Sequence, residues 1–259
     1  MGKLTFRALA AASLVVCVTG FARSQDAAPP EHYRLRLEYV YWIAEITGEI
    51  QKGATEGVGR VDLKDDLGVE DKNLNEVRAA LRLGNRHKLR GSWVSLDYDG
   101  DVILDSLFIF DGTIFRQGER TVTSMKGNLW SAEYEWDFLQ NSVGYLGLVI
   151  GAKFLDVDSV IVQPEVGRRE TGTQRAPVPV IGLSGRLYAG RLSFSAEGTG
   201  LTLGSRGSLY DVEGQARFHI TDRLAVGGGY RWLRARGEED DDFLLFSDEG
   251  FRFGVELGL

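Results

Sequence analysis

Apolar and polar residues alternate with a period of two along most of the chain beyond about residue 33. In the first such segment, about 33 to 49, tyrosine, leucine and isoleucine occupy one set of positions and Arg34, Arg36 and Glu38 the other. The last nine residues repeat the pattern, with Arg252 and Glu256 opposite the apolar positions Phe251, Phe253, Val255, Leu257 and Leu259. Because successive side chains of a strand point to opposite faces, the alternation predicts strands with one apolar face.

Ten such segments follow one another, and an even number of strands at this spacing predicts a closed antiparallel barrel, with eight or twelve strands as alternatives. The third segment has no clear phase. The segments lie at about 33–49, 74–83, 87–98, 130–138, 143–160, 178–189, 192–196, 210–220, 224–232 and 251–259.

The connections between the segments are alternately short and long. Short turns are expected near residues 84, 140, 190 and 221, and only the connection at 204–208 breaks the alternation. In outer-membrane barrels short turns face the periplasm and long loops face the outside, which fixes the predicted orientation. The long polar connections are expected at about 50–73, 99–121, 160–177 and 237–249.

The N-terminal residues have the pattern of an export signal. Lys3 and Arg7 precede an apolar run, and Ala22 and Ser24 place small residues at a cleavage site. We therefore expect a signal peptide at 1–24, a short periplasmic segment at 25–32 and the barrel at 33–259. Cys17, the only cysteine, lies within the signal, so the mature chain is expected to have no disulfide or thiol chemistry.

In these patterns the chain resembles the small bacterial outer-membrane β-barrel proteins as a superfamily. The resemblance implies residence in the outer membrane, contact with its lipid and lipopolysaccharide, and insertion by the barrel assembly machinery. Leu259 departs from it, because an aromatic residue usually stands at this position. The segment read by the machinery would be Phe251, Phe253, Val255, Leu257 and Leu259.

A soluble β-sandwich or lipocalin is the competing interpretation, since alternation also arises when one face packs on a core. Aromatic residues near both ends of the apolar faces, such as Tyr33 and Tyr41, favour the membrane barrel because interfacial girdles have this pattern. Charged residues on the opposite faces also oppose an apolar core.

The faces opposite the apolar ones carry acids and bases in mixed order. In a narrow barrel these side chains would pair across the lumen, which predicts a structural or surface-interaction role; the alternative is a narrow channel for small solutes. The expected lumen charges are Arg34, Arg36, Glu38, Glu76, Arg78, Arg82, Glu133, Glu135, Lys153, Arg186, Glu197, Asp211, Glu213, Arg217, Arg231 and Glu256.

The sequence contains only weak indications of a catalytic or metal site. Asp97, Asp99 and Asp101 are similar to the aspartates of the omptin proteases, but no histidine is expected near them. They are at most a weak cation site, because Val102 and Phe108 stand where a helix-loop-helix calcium loop needs glycine and glutamate.

The histidines give no better site. His219 with Thr221 is similar to the His-x-Ser pair of the lipid A deacylases. However, His32, His87 and His219 all map to the periplasmic ends of strands, which opposes an outer-membrane hydrolase. We expect no enzyme activity and no cofactor. An acidic chain, with a net charge of −7, also argues against nucleic acid as a partner.

The second long connection contains its own hairpin signal. Asp111-Gly112 is a favoured turn dipeptide, and apolar, β-prone residues flank it at 107–110 and 113–115. Either this hairpin continues the third and fourth strands outward or it bends inward and fills the barrel mouth.

Overall fold

The computed structural model describes residues 33–51, 60–202, 204, 207–239 and 242–259. The expected signal peptide and His32 lie outside these residues.

The described chain forms a closed antiparallel barrel of ten strands, as predicted. Each wall strand pairs with the next wall strand in the chain, and β13 pairs back with β1 to close the ring. The wall consists of β1 (Leu35–Gln51), β3 (Lys72–Arg82), β4 (His87–Ile103), β7 (Arg120–Asn141), β8 (Gly144–Gln163), β9 (Arg168–Ala189), β10 (Leu192–Thr202), β11 (Gly207–His219), β12 (Leu224–Glu239) and β13 (Asp242–Gly258). Short strands β2 (Val61–Asp62), β5 (Phe108–Phe110) and β6 (Thr113–Phe115) lie in the connections.

An apolar belt surrounds the lower part of the barrel, next to the short turns. Leu37, Tyr39 and Ile43 of β1 point outward and are 37, 50 and 45% exposed, and Phe251 of β13 is 63% exposed. Closure leaves no unpaired strand edge at this level, so the backbone hydrogen bonds are satisfied within the barrel, as hydrocarbon requires. Among the described residues no helix has the length and hydropathy needed to cross a bilayer.

Several strands continue far beyond this belt. β7 and β9 each have 22 residues and β8 has 20, whereas a bilayer crossing needs about 9 to 11. The prediction of long loops at 160–177 and 237–249 is therefore wrong: only four residues, the turn Pro164–Val166 and Gly167, separate β8 from β9. These polar residues are strand residues because the outer surface above the belt faces water.

The hairpin β5–β6 bends inward, which decides between the two predicted possibilities. Phe108, Phe110 and Phe115 are at most 5% exposed, and the Thr113 hydroxyl donates to Glu170 of β9 at 2.5 Å. Asp111 and Gly112 have φ values of 50° and 79°, as the expected tight turn requires.

Candidate functional site: the barrel interior

The lower interior, at the level of the apolar belt, is filled by charged side chains. Nine cations and nine anions point inward here, so the formal charges balance. We call this set the charge network. Its members are Arg36, Arg78, Lys88, Arg90, Lys153, Arg186, Arg217, Arg231, Arg252, Glu38, Glu76, Glu133, Glu135, Asp137, Glu197, Asp211, Glu213 and Glu256.

The pair formed by Arg78 and Glu213 crosses the lumen. Arg78 lies on β3 and Glu213 on β11, four strands away around the ring. The two Nη atoms of Arg78 donate to the two carboxylate oxygens at 2.6 and 2.7 Å, and its Nε lies 2.8 Å from Glu76. A bidentate pair of this kind fixes direction as well as distance.

A second cross-lumen connection is made by Arg90 of β4. Its Nη2 donates to Glu197 of β10 at 2.6 Å, and its Nη1 donates to Glu135 of β7 at 2.5 Å. Glu133 lies 3.3 Å from the same guanidinium. One arginine therefore neutralises carboxylates from two sides of the barrel.

The upper boundary of the network is formed by Arg231 and Arg252. Arg231 donates to both oxygens of Asp211, at 2.8 and 2.7 Å, and its guanidinium lies over the ring of Trp42 with a centroid distance of 4.9 Å. Arg252 donates to Glu76 at 2.7 Å and also to Glu213. Lys153 pairs with Asp211. The charges at this level are buried and partnered.

Near the periplasmic end, Arg186 connects an ion pair with a serine and a histidine. Its Nη1 donates to Glu256 at 2.9 Å, while Nε and Nη2 donate to the Ser193 hydroxyl at 3.1 and 3.0 Å. Ser193 Oγ lies 2.9 Å from His219 Nε2. The serine is 0% exposed, and Arg186 and His219 occupy its hydrogen-bonding positions. The arrangement fixes the strand ends and offers no accessible nucleophile.

The alternation in the sequence predicts most of the network but not all of it. Arg34 is exposed at the periplasmic rim, and Arg82 is half-buried there, with one Nη atom 2.9 Å from the carbonyl of Asn85 in the turn. Arg34 therefore lies outside the pairs that fill the lumen, and Arg82 lies at their periplasmic edge. The other predicted lumen charges all point inward, and eleven of them take part in the contacts above.

Lys88, Arg90, Asp137 and Arg252 were missing from the predicted set. Lys88 is 0% exposed; its Nζ lies 2.8 Å from Glu135, 3.0 Å from Asp137 and 3.4 Å from the ring centroid of Tyr145. The polar phase of strands four and ten contained Asp137 and Arg252. Lys88 and Arg90 could be found only by resolving the phase of the third strand.

Two inward-facing glycines make room for the network. A Cβ at Gly227 would lie 2.4 Å from the Ala216 carbonyl oxygen and 2.7 Å from Arg217 Cγ, and one at Gly229 would lie 2.1 Å from the Gly214 oxygen. Part of the Gly227–Gly229 run is therefore required, because the backbone carbonyl groups of β11 and the Cγ atoms of its side chains approach β12 too closely for a Cβ at these positions.

A polar cavity of about 70 Å³ remains within the network. Arg78, Arg90, Glu197 and Glu213 are among its lining residues. Since a water molecule needs at least about 10 to 15 Å³ by the same measure, the cavity is large enough for a few waters.

The upper interior is apolar, which the sequence analysis did not predict. Wall residues pack there with the inward hairpin β5–β6 and with the segment around β2. We call this cluster the outer apolar core, and its members are at most 8% exposed: Trp42, Ala44, Ile46, Val61, Leu63, Leu67, Val69, Leu74, Val94, Leu96, Tyr98, Leu104, Phe108, Phe110, Phe115, Met125, Leu129, Ile161, Val180, Leu209 and Leu233.

One polar contact lies inside this core. The Tyr98 hydroxyl donates to Asp248 at 2.7 Å, and both side chains are at most 1% exposed. Tyr98 is on β4 and Asp248 on β13, so the bond connects distant parts of the wall through the apolar layer.

The three aspartates of β4 point away from the interior, above the belt. Asp101 pairs with Arg120, while Asp97 and Asp99 lie 3.8 and 3.6 Å from Lys126 and Lys72. The hydrogen bond from Arg120 holds the pKa of Asp101 below its ordinary value. No group of three acidic, histidine or cysteine side chains suited to a metal ion occurs among the described residues.

His87 and His219 lie at the periplasmic ends of β4 and β11, as predicted from the topology. They are therefore at the opposite end of the barrel from the aspartates of β4. The structure does not bring these residue types together into an omptin-like arrangement.

Comparisons with known proteins identify the fold. No family model and no curated sequence matches the chain. Among solved structures, the outer membrane protease OmpT from Escherichia coli matches with a TM-score of 0.60 at 13% identity, over 87% of this chain and 96% of that one. The chain has the fold of a bacterial outer-membrane β-barrel.

Another similar structure is the translocator domain of the autotransporter NalP from Neisseria meningitidis. It covers 98% of this chain and 96% of its own, with a TM-score of 0.48 and 12% identity. At 13% identity the likeness to OmpT concerns the barrel fold alone.

Proposed function

We propose that this outer-membrane barrel is a closed, non-conducting protein with a structural or surface-interaction role. The observation that carries the proposal is the two-layered filling of its interior. A solute entering from the outside meets the outer apolar core, whose side chains are at most 8% exposed. A solute entering from the periplasm meets cross-lumen ion pairs such as Arg78–Glu213.

The outer end supports a surface role. β4, β7, β8 and β9 extend above the belt and carry exposed polar residues on their outer face, including Asp97, Lys126 and Arg175. Above the belt acidic residues outnumber basic ones. Lipopolysaccharide phosphates, held directly by the basic residues or through divalent cations by the acidic ones, are the proposed partners at this level. Insertion by the assembly machinery through the β13 segment ending at Leu259 belongs to the same proposal.

The proposal contains no catalytic step. The omptin-like alternative needs a histidine beside the aspartates of β4, but His87 and His219 lie at the other end of the barrel. The deacylase-like alternative needs an accessible nucleophile next to His219, whereas Ser193 is fully buried beneath Arg186.

Planar-bilayer recording of the refolded protein tests the proposal. Heat-modifiable migration on gels first establishes that the barrel is folded, because closed barrels resist detergent until heated. We expect no steady conductance from the folded protein, and none from Arg78→Met. Steady conductance in the unaltered protein, with a shifted ion selectivity and an unchanged unfolding midpoint in Arg78→Met, would favour the narrow channel instead.

A further inference from the structure

The periplasmic rim carries a set of exposed arginines that the interior does not use. Arg34 precedes β1, and Arg86, Arg191 and Arg223 lie in three of the four short turns. We call these four residues the arginine crown. All four side chains are exposed, and none forms an ion pair with another described residue. They differ in this from arginines of the charge network such as Arg231 and Arg252, which are buried and paired.

The backbone fixes the crown around the rim. Arg86 O accepts a hydrogen bond from Asp137 N of β7, Arg191 O accepts one from His219 N of β11, and Arg223 O accepts one from Gly258 N of β13. Arg34 N donates to Leu259 O. The guanidinium groups therefore start from anchored positions spread along the ring.

The crown lies directly beside the lipid-facing belt. Leu83 is close to Arg86 in the same turn, Leu192 follows Arg191, and Ile220 precedes the turn that contains Arg223; these apolar side chains are 56, 43 and 47% exposed. An arginine next to an outward apolar residue at a strand end extends its guanidinium to the headgroup level.

Among the described residues of the rim, little negative charge offsets the four arginines. Asp222, next to Arg223, is the one acidic side chain of the four short turns, and the charge network above is balanced. The other end of the barrel has the opposite character, because acidic residues predominate there. The barrel is therefore charged asymmetrically along its axis, with its positive end in the periplasm.

We propose that the arginine crown binds the phosphate groups of anionic phospholipids in the periplasmic leaflet of the outer membrane. Guanidinium groups match phosphate oxygens in geometry and are always charged. Each basic residue close to an anionic lipid surface increases the binding constant for that surface roughly fivefold. The position of the crown at the edge of the belt favours a membrane phosphate over a polymer lying deeper in the periplasm.

The experiment measures lipid preference at the protein surface with spin-labelled lipids. The barrel is reconstituted in phosphatidylcholine vesicles, and the motionally restricted fraction is compared for spin-labelled phosphatidylglycerol and phosphatidylcholine. We expect about a threefold preference for phosphatidylglycerol, because only the boundary lipids of one leaflet meet the crown. The preference should disappear in about 1 M salt, where the Debye length is about 3 Å.

The test variant is Arg86→Gln/Arg191→Gln/Arg223→Gln, and the matched control is Arg116→Gln/Arg120→Gln/Arg169→Gln. Both remove three positive charges from exposed positions, but those of the control lie near the outer tip of the barrel. The crown variant should lose the preference and the control should keep it. Heat-modifiable migration establishes that each variant is folded.

Three results would overturn the proposal. One is an unchanged preference in the crown variant. Another is an equal loss in both variants, which would make the effect one of net charge. The third is the absence of any lipid preference together with crown-dependent sedimentation on isolated peptidoglycan, which would assign the crown to an anionic cell-wall polymer.

Discussion

In the lower half of β1, Arg36 and Glu38 point into the barrel while Tyr39 faces lipid. A few residues further along the same strand, Trp42 points inward while Glu45 faces solvent. The inside of the barrel thus changes from charged to apolar at the level where its outside changes from apolar to charged. The strand itself continues without interruption, so the change lies in the surroundings and not in the backbone.

In each half of the barrel, the medium outside the wall determines which face of the strands is apolar. Within the bilayer the lipid-facing side must be apolar, and polar side chains are left for the lumen, where they need partners. Above the bilayer the outside faces water, and the strands can form a core like that of a soluble β-protein. The boundary near residues 43 to 45 of β1 marks where the bilayer ends.

The charge network should respond most strongly to the loss of one partner. Arg78→Met leaves Glu213 and Glu76 buried beside fewer cations, and we expect a cost of about 3 to 5 kcal/mol in the free energy of unfolding. Urea unfolding followed by gel migration measures it. Glu133→Gln, which removes a charge but keeps the shape, should be milder. An unchanged midpoint in Arg78→Met would mean that the lower interior is hydrated and open.

The outer apolar core should respond as an ordinary protein core. Leu67 is 0% exposed, and Leu67→Ala should cost about 2 to 5 kcal/mol, whereas Leu107→Ala, at a position 57% exposed, should cost little. The same unfolding assay applies. If the two halves are independent, the effects of Leu67→Ala and Arg78→Met should add to within about 0.5 kcal/mol. Strong coupling would contradict the division into two layers.

Arginine substitutions on the outer surface test where the apolar belt ends, because a charge should be costly within the belt and tolerated above it. Leu183 faces lipid and is 47% exposed, so Leu183→Arg should cost about 2 to 4 kcal/mol near the midplane, and Ala132→Arg should behave similarly. Thr47→Arg, at an outward position above the belt, should change stability by no more than about 0.5 kcal/mol. Equal costs at the two levels would show that the belt is placed wrongly.

The same change of surroundings explains what the sequence could predict. The ten strands, the short turns and most lumen charges follow from alternation in the lower half. The third predicted strand had no clear phase because it crosses the boundary: Leu89 and Trp93 face outward below it, and Leu96 and Tyr98 face inward above it. Read as one amphipathic strand, β4 has apolar residues on both faces.

The outer apolar core could not be placed from alternation alone. Its inward hairpin β5–β6 and the segment around β2 pack through contacts distant in sequence, such as Thr113 with Glu170. The predicted loops at 160–177 and 237–249 were wrong for a related reason. A polar outward face and a mixed inward face resemble the composition of a loop, although they are typical of a strand that has left the membrane.

The smallest expected effect concerns the water-facing surface of this extension, where Arg120 donates to both oxygens of Asp101 at 2.9 and 2.5 Å. Both side chains are more than half exposed, and the hydrogen bond and charge of Arg120 lower the pKa of Asp101.

A carboxylate whose pKa is lowered by folding contributes stability above its ordinary pKa and loses it as the pH falls through the folded value. Arg120→Gln should therefore raise the pKa of Asp101 in an NMR titration. Its unfolding midpoint should match that of the unaltered protein in acid and fall barely below it at neutral pH, because exposed pairs are weak. Arg169→Gln, on β9, should leave the titration unchanged. A large loss of stability in Arg120→Gln would mean that this surface is covered, and the contrast between a paired, buried lower interior and a solvated outer surface would fail at this point.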